Sequence, residues 1–169
     1  MNKNIFTPAL YGGPKSINYK LKSYNSIGIE EIKAANKVLK SGKLSNFMAG
    51  KNKKFYGGTY VKKFEKYLQN FYKVKYAITL NSWTSGLICA VGALDIEPGD
   101  EIITTPWTMC ACATAILHWN AIPVFADIDP NTFCIDPKSI KKKITKKTKA
   151  ILAVDIFGVG SDLDKIKRV

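Results

Sequence analysis

Val74-Lys75-Tyr76-Ala77-Ile78-Thr79-Leu80, running into Asn81-Ser82-Trp83-Thr84-Ser85-Gly86, is the stretch whose reading decides the fold. Val74–Leu80 predicts a buried strand, 81–86 a tight loop and Leu87–Leu94 a helix. The pattern then repeats: Glu101–Thr105 reads as a strand, Thr108–Trp119 as an almost uncharged helix and Ile122–Asp127 as a strand. Strands alternating with helices imply crossover connections and a mainly parallel sheet flanked by helices, an α/β architecture. Small hydroxyl residues where a strand meets a helix suit a phosphate group, because free backbone N–H groups and the positive end of the helix dipole point there.

Toward the C-terminus, Asp129-Pro130-Asn131-Thr132 reads as a turn and Pro137–Ile144 as a Lys-rich helix with Ile140 and Ile144 facing in. Lys149–Val154 reads as a strand ending at Asp155, Gly158-Val159-Gly160 as a loop, and Ser161-Asp162 as the start of a last helix. Ligands of parallel sheets bind outside the C-terminal ends of the strands. The junctions at 81–86, 105–109 and 155–160 are therefore expected to share one rim.

Toward the N-terminus, Thr59–Tyr72 predicts a helix with Val61, Phe64, Leu68 and Phe71 on one face. Before it lies a loop over Leu44–Gly58, long enough to suggest function. An earlier helix opens near Ser26, a candidate cap, buries a face of Ile29, Ile32, Ala35, Val38 and Leu39, and stops at Gly42. Residues 1–25 read as an arm, either frayed or docked on a partner subunit. Residues 26–169 form the rest of the domain organisation.

The net charge of +13 is unevenly spread. Residues 1–75 hold 16 Lys and 3 acids, residues 76–137 hold 7 acids and no Lys or Arg, and residues 138–169 hold 10 basic and 3 acidic residues. Only Arg168 is Arg, so the forked side chain that reads base edges is almost missing, and nucleic acid is not the expected partner. A Lys-rich solvated face, with a positive rim that attracts anionic small molecules, is the better reading. No apolar run reaches the ~18 residues that span a bilayer. The N-terminus lacks the apolar core of a secretory signal, which places the chain in the cytoplasm by expectation. Cys89, Cys110, Cys112 and Cys134 with the single His118 lack paired metal-ligand spacing, so buried free thiols are expected and no metal.

An ordered set of motifs runs along the chain: Gly42; Gly58-Xaa3-Lys62-Lys63-Phe64-Glu65; Tyr76-Ala77-Ile78-Thr79-Leu80-Asn81-Ser82-Xaa-Thr84; Pro98-Gly99-Asp100-Glu101-Ile102-Ile103; and Thr108-Xaa2-Ala111. It continues through Ala121–Pro130, Ile135-Asp136-Pro137, Ile144–Ile151 and Gly158-Xaa3-Asp162-Xaa-Asp164. This set resembles the DegT/DnrJ/EryC1/StrS family of pyridoxal-phosphate-dependent sugar aminotransferases. The resemblance implies the large domain of the aspartate-aminotransferase-like fold (fold type I), in a homodimer. It implies pyridoxal 5'-phosphate as cofactor, a keto-sugar linked to a nucleoside diphosphate as substrate and glutamate as the usual amino donor. The cofactor phosphate would sit at Ser82, Trp83 and Thr84. Trp83 stands where the family usually has Gly, and serves either as a core or interface aromatic or as a cofactor contact. Met109 stands where an aromatic residue usually stacks on the cofactor ring, and a thioether can lie against a ring. Asp155 stands where His is common and is either a hydrogen-bond partner of cofactor or substrate or an ordinary strand-end carboxylate.

The family's chemistry also needs a Schiff-base Lys and an acid paired to the pyridine nitrogen, which makes the ring an electron sink. No residue here matches either, so no catalytic residue is assigned within 1–169. By expectation the chain is the N-terminal part of a longer enzyme, with the rest of the sheet and a small C-terminal domain outside it, inactive alone and prone to aggregate. Rival readings are a sugar dehydratase of the same fold, in which His replaces the Lys, and a non-catalytic remnant or binding protein.

Overall fold

The computed structural model describes residues 7–20, 22–47, 50 and 55–169. Parts of the expected arm (1–6 and 21) and of the expected loop (48, 49 and 51–54) lie outside the described residues. The chain divides into two units at Lys66/Tyr67.

The first unit carries α1 (Ile29–Lys40) and the opening turns of α2 (Thr59–Tyr72). The cap of α1 is Gly28 and not Ser26. Glu31 reaches back to accept the Gly28 N–H at 2.7 Å, which fixes the first turn two residues later than expected. Glu30 and Glu31 sit at the positive end of the dipole, Lys37 and Lys40 at the negative end. Gly42 ends the helix with φ +66°, the left-handed stop its position predicts. The expected apolar face remains largely uncovered, since Ile29, Ile32 and Leu39 are exposed. Helix α2 has the predicted bounds.

The second unit contains α3 (Trp83–Gly92), β1 (Glu101–Thr104), α4 (Ala111–Leu117), β2 (Ile122–Phe125), α5 (Pro137–Lys143), β3 (Thr148–Ile151) and α6 (Leu163–Lys167). The three strands form a parallel sheet in the order β2-β1-β3. The chain goes from β1 through α4 to one side, then through α5 to the other, so β1 is central and its Ile102, Ile103 and Thr104 are buried.

Successive strand residues point to opposite faces. Ile102 therefore joins Val91, Ala115, Ile116 and Ala121 on the α3/α4 face. Ile103 joins Ala126, Ile135, Ile140 and Ile166 on the α5/α6 face. Each fully buried Ile contributes about 1.5–3 kcal/mol of transfer free energy. Two adjacent residues thus anchor two cores, and helices cover both faces of the sheet.

Further expectations change in this unit. Helix α3 starts at Trp83, inside the expected loop over 81–86, because Ser82 caps it, and ends at Gly92, short of the expected Leu94. Val74–Leu80 makes no ladder pairing among the described residues, and Tyr76 and Ile78 are 71% and 79% exposed. A strand needs a neighbouring edge, and this segment pairs with neither β2 nor β3. Helix α4 starts at Ala111 instead of Thr108, after a turn that Pro106 imposes. Ile144 is the C-cap of α5 with extended backbone and is exposed, so only Ile140 faces in. Cys112 and Cys134 are buried free thiols, but Cys89 and Cys110 are exposed. Among the described residues there is no cluster that could hold a metal ion, and no helix is long and apolar enough to cross a membrane.

Candidate functional site

The start of α3 is built by Ser82. Its backbone is extended (φ −157°, ψ 160°), and its Oγ accepts the Ser85 N–H at 3.2 Å. The Ser82 and Ser85 hydroxyls lie 3.0 Å apart. The Ser85 N–H is thus satisfied by the cap, and the Gly86 N–H by the Ser82 carbonyl at 3.1 Å. The N–H groups of Trp83 and Thr84, the first two of the helix, find no acceptor among the described residues. Two free donors, two hydroxyls and the positive end of a ten-residue helix make a cradle for a phosphate. Sequence reading passed over Ser85. A Ser three residues after a capping Ser is a signal that could have found it.

Trp83 is 79% exposed, and its ring edge lies along Gly86. A Cβ on Gly86 would come within 3.3 Å of that ring, so the glycine lets the indole lie back along the helix and leaves the helix end open. Trp83 is therefore not a core aromatic in this structure.

Met109 lies between β1 and α4 and is 74% exposed, its carbonyl accepting the Cys112 N–H at 3.2 Å. It hangs from a turn set by Thr105, whose buried Oγ1 accepts the Trp107 N–H at 3.1 Å. Trp119, just past the C-terminal end of α4, donates its indole N–H to the Ile88 carbonyl at 2.8 Å. That bond joins α4 and α3 through their later turns. Met109 and Ser82–Thr84 lie at the starting ends, away from it.

Asp155 follows β3. Its Oδ1 accepts the Ser161 N–H at 2.8 Å, and this bond holds the carboxyl below the usual carboxylate range. The Ser161 hydroxyl donates to the Val154 carbonyl at 3.2 Å, which closes the loop on itself. Nothing in the sequence singled out Ser161 as the partner.

The structure adds a cluster that sequence reading missed. Trp107, after β1, stacks on Phe133 with ring centroids 6.1 Å apart, and Phe133 meets Phe157, after β3, edge-on at 6.3 Å. The loops beyond the C-terminal ends of β1 and β3 are thereby tied together, which brings the expected junctions at 105–109 and 155–160 to one rim. The 81–86 junction starts α3 and follows no strand of this sheet. Phe133 and Phe157 both hold left-handed backbone, φ 61° and 52°, a conformation that bulky residues rarely adopt.

Relatives and solved structures carry the same segment. Over 143 residues the chain is 41% identical to the spore coat polysaccharide biosynthesis protein SpsC of Bacillus subtilis, covering 85% of this chain and 34% of SpsC. The crystal structure of an aminotransferase from Psychrobacter cryohalolentis superposes with a TM-score of 0.78 at 34% identity, covering 88% of this chain and 35% of that one. The E. coli GDP-4-keto-6-deoxy-D-mannose-3-dehydratase with bound hydrated PLP superposes at 0.75 with 30% identity, covering 90% and 38%. The chain spans about a third of the length of the proteins it matches. Its fold is that of the large domain of fold-type-I PLP-dependent transferases. The model of the DegT/DnrJ/EryC1/StrS aminotransferase family matches residues 25–169, and the chain belongs to that family.

Proposed function

We propose that residues 26–169 are the N-terminal part of the large domain of a pyridoxal-phosphate-dependent aminotransferase. The enzyme transfers an amino group, from glutamate, to a keto-sugar linked to a nucleotide. The observation that carries this reading is the cradle at the start of α3. Its free Trp83 and Thr84 N–H groups and the paired Ser82 and Ser85 hydroxyls fit a phosphate ester.

In this reading the Trp83 and Thr84 N–H groups and the Ser82, Thr84 and Ser85 hydroxyls hold the cofactor phosphate. Met109 lies against one face of the ring. Asp155, kept ionised by Ser161, accepts a hydrogen bond from cofactor or substrate. The cofactor, when bound, supplies the electron sink for amino transfer. The Schiff-base Lys and the acid facing the pyridine nitrogen come from sequence outside 1–169, consistent with relatives about three times as long. Residues 1–169 alone then bind without turning over. The exposed Met109 and Phe157 support a homodimer in which a second subunit covers the rim beyond β1 and β3.

Pyridoxamine phosphate is the suitable probe, since it carries no aldehyde to react with the chain's many lysines. Equilibrium dialysis should give saturable binding, weakened about tenfold or more when Ser82 and Thr84 become Ala and Val, and much weaker binding of pyridoxamine without phosphate. Equal binding of pyridoxamine and its phosphate would overturn the reading. A sugar dehydratase is the second reading, since the same segment superposes on the E. coli dehydratase at 0.75 and on the aminotransferase at 0.78. Lys or His at the Schiff-base position of the full gene product decides between them.

A further inference from the structure

The segment Lys138–Lys149 holds seven Lys in twelve residues and no Asp or Glu. It runs from α5 into β3. The buried Ile140 pins α5 to the α5/α6 core, while Lys141, Lys142, Lys143, Lys146 and Lys147 are all exposed. The other two have partners: Lys138 lies in electrostatic reach of Asp129, and Lys149 pairs with Asp100 at 3.7 Å. Among the described residues none of the five exposed ammonium groups is in an ion pair. The carboxylates around the segment are engaged elsewhere: Asp136 caps the start of α5, Asp162 pairs with Lys165, and Glu101 accepts the Thr145 and Thr148 hydroxyls. Lys141, Lys142 and Lys143 sit in the last turn of α5, where cations suit the helix dipole. Lys146 and Lys147 lie past the helix, and the dipole does not account for them. Like charges packed this closely repel one another unless a counter-charge faces them. Between the two groups of Lys stands one apolar side chain, Ile144, exposed on extended backbone at the end of α5. An apolar group flanked by ammonium groups suits the boundary between lipid headgroups and acyl chains. The cations meet headgroup phosphates there, and the isoleucine and the lysine stems enter the apolar layer. A nucleic-acid backbone offers the charge without an apolar layer, and the segment has no Arg fork to read bases.

We propose that the C-terminal end of α5 and its connection into β3 form a docking face for an anionic membrane surface, with the five exposed Lys on headgroup phosphates and Ile144 inserted among the lipids. The face lies within the second unit, uses no residue of the cofactor cradle and does not depend on the cofactor reading.

Flotation of the whole chain with lipid vesicles tests it, because aggregated protein stays at the bottom of the gradient. The chain should float with phosphatidylcholine vesicles that contain phosphatidylglycerol and not with phosphatidylcholine alone, and added salt should release it. Lys141→Gln, Lys142→Gln and Lys146→Gln together should weaken binding about tenfold or more. Lys37→Gln, Lys40→Gln and Lys43→Gln together remove the same charge near the end of α1 and should leave binding nearly unchanged. Ile144→Ser should weaken binding to the vesicles and not to a duplex oligonucleotide. Absence of flotation with the anionic vesicles overturns the proposal. Equal losses in the two triple variants also overturn it, by assigning the attraction to net charge and not to this face. A duplex bound as tightly as the vesicles at equal phosphate concentration, with Ile144→Ser affecting neither, overturns it in favour of a nucleic-acid surface.

Discussion

The indole of Trp119 lies on the bare backbone of Gly92. A Cβ at residue 92 would overlap the six-membered ring, with Cε2 only 2.6 Å away, and the ring cannot slide because its N–H is bonded to the Ile88 carbonyl. α3 and α4 pack closely because one helix lacks a side chain where the other chain segment supplies its largest.

Gly92→Ala should therefore destabilise the chain although Ala is the better helix former. Helix propensity gains about 1 kcal/mol. Overpacking against a fixed ring costs about 1–3 kcal/mol, and breaking the indole bond about another 1 kcal/mol. Urea denaturation should show the midpoint falling, and Trp119→Leu should make the Gly92→Ala change close to neutral. A midpoint that rises for Gly92→Ala alone would mean the two helices separate freely.

Thr104 gives a second test. It is 0% exposed, and its Oγ1 donates to the Leu152 carbonyl at 3.0 Å, joining the end of β1 to the residue just past β3. Thr104→Val keeps the shape and removes the donor. A net loss of about 1–2 kcal/mol is expected, because the hydroxyl is fully buried and leaves an acceptor short of a partner. Thr104→Ser keeps the bond and should lose less. Equal losses for the two variants would assign the effect to packing.

The thiols divide into two classes. Cys89 and Cys110 are exposed, whereas Cys112 lies in the α4 core face, and the buried Cys134 donates its S–H to the Val159 carbonyl at 3.3 Å. Titration with an aromatic disulfide reagent should show two thiols reacting at once and two only on unfolding. Four fast thiols would mean that the packing around Cys112 and Cys134 opens readily.

What was legible in the sequence follows from which interactions are local. The bounds of α2, the left-handed stop at Gly42 and the strands β1 and β2 came from periodicity and turn residues within a few positions of each other. The run of Ser and Thr at 81–86 marked a junction leading into a helix, but the helix starts at Trp83, inside the stretch expected to be a loop, because Ser82 caps it. Val74–Leu80 has the composition of a strand, but a strand exists only with a partner edge, and composition does not say where that edge is. Ile144 sits at helical spacing from Ile140, yet the helix ends one residue earlier, so the spacing no longer applies. The capping role of Gly28 depends on the Glu31 side chain turning back, and that competed with Ser26 two residues away. Asp155 could be singled out as a strand-end carboxylate, but its bond to Ser161 spans a six-residue loop whose path no local rule sets. The Trp107–Phe133–Phe157 chain depends on the sheet order β2-β1-β3, which places the loops after β1 and β3 side by side.

The Asp155–Ser161 bond and the Asp162–Lys165 pair predict opposite pH limbs. Asp155 is exposed, and the Ser161 N–H lowers its folded pKa. A carboxyl with a depressed folded pKa stabilises above its unfolded value, about 3.9, and that contribution is lost as pH falls through the folded pKa. The difference in melting temperature between the parent chain and Asp155→Asn should therefore be present at pH 6 and shrink toward zero in strong acid. Lys165 behaves conversely. Its ammonium lies 2.8 Å from Asp162, the last residue before α6, and the bond to that carboxylate raises its folded pKa. Its contribution is complete below the unfolded value, about 10.4, and is lost as pH rises through the folded pKa. The Lys165→Met difference should accordingly persist through neutral pH and shrink in strong base. Both bonds are exposed, so added salt should reduce the Lys165 effect more than the Asp155 effect, whose partner is a neutral N–H. A Lys165→Met difference that stays constant into strong base, or an Asp155→Asn difference unchanged into strong acid, would show that these groups act through packing and not through charge.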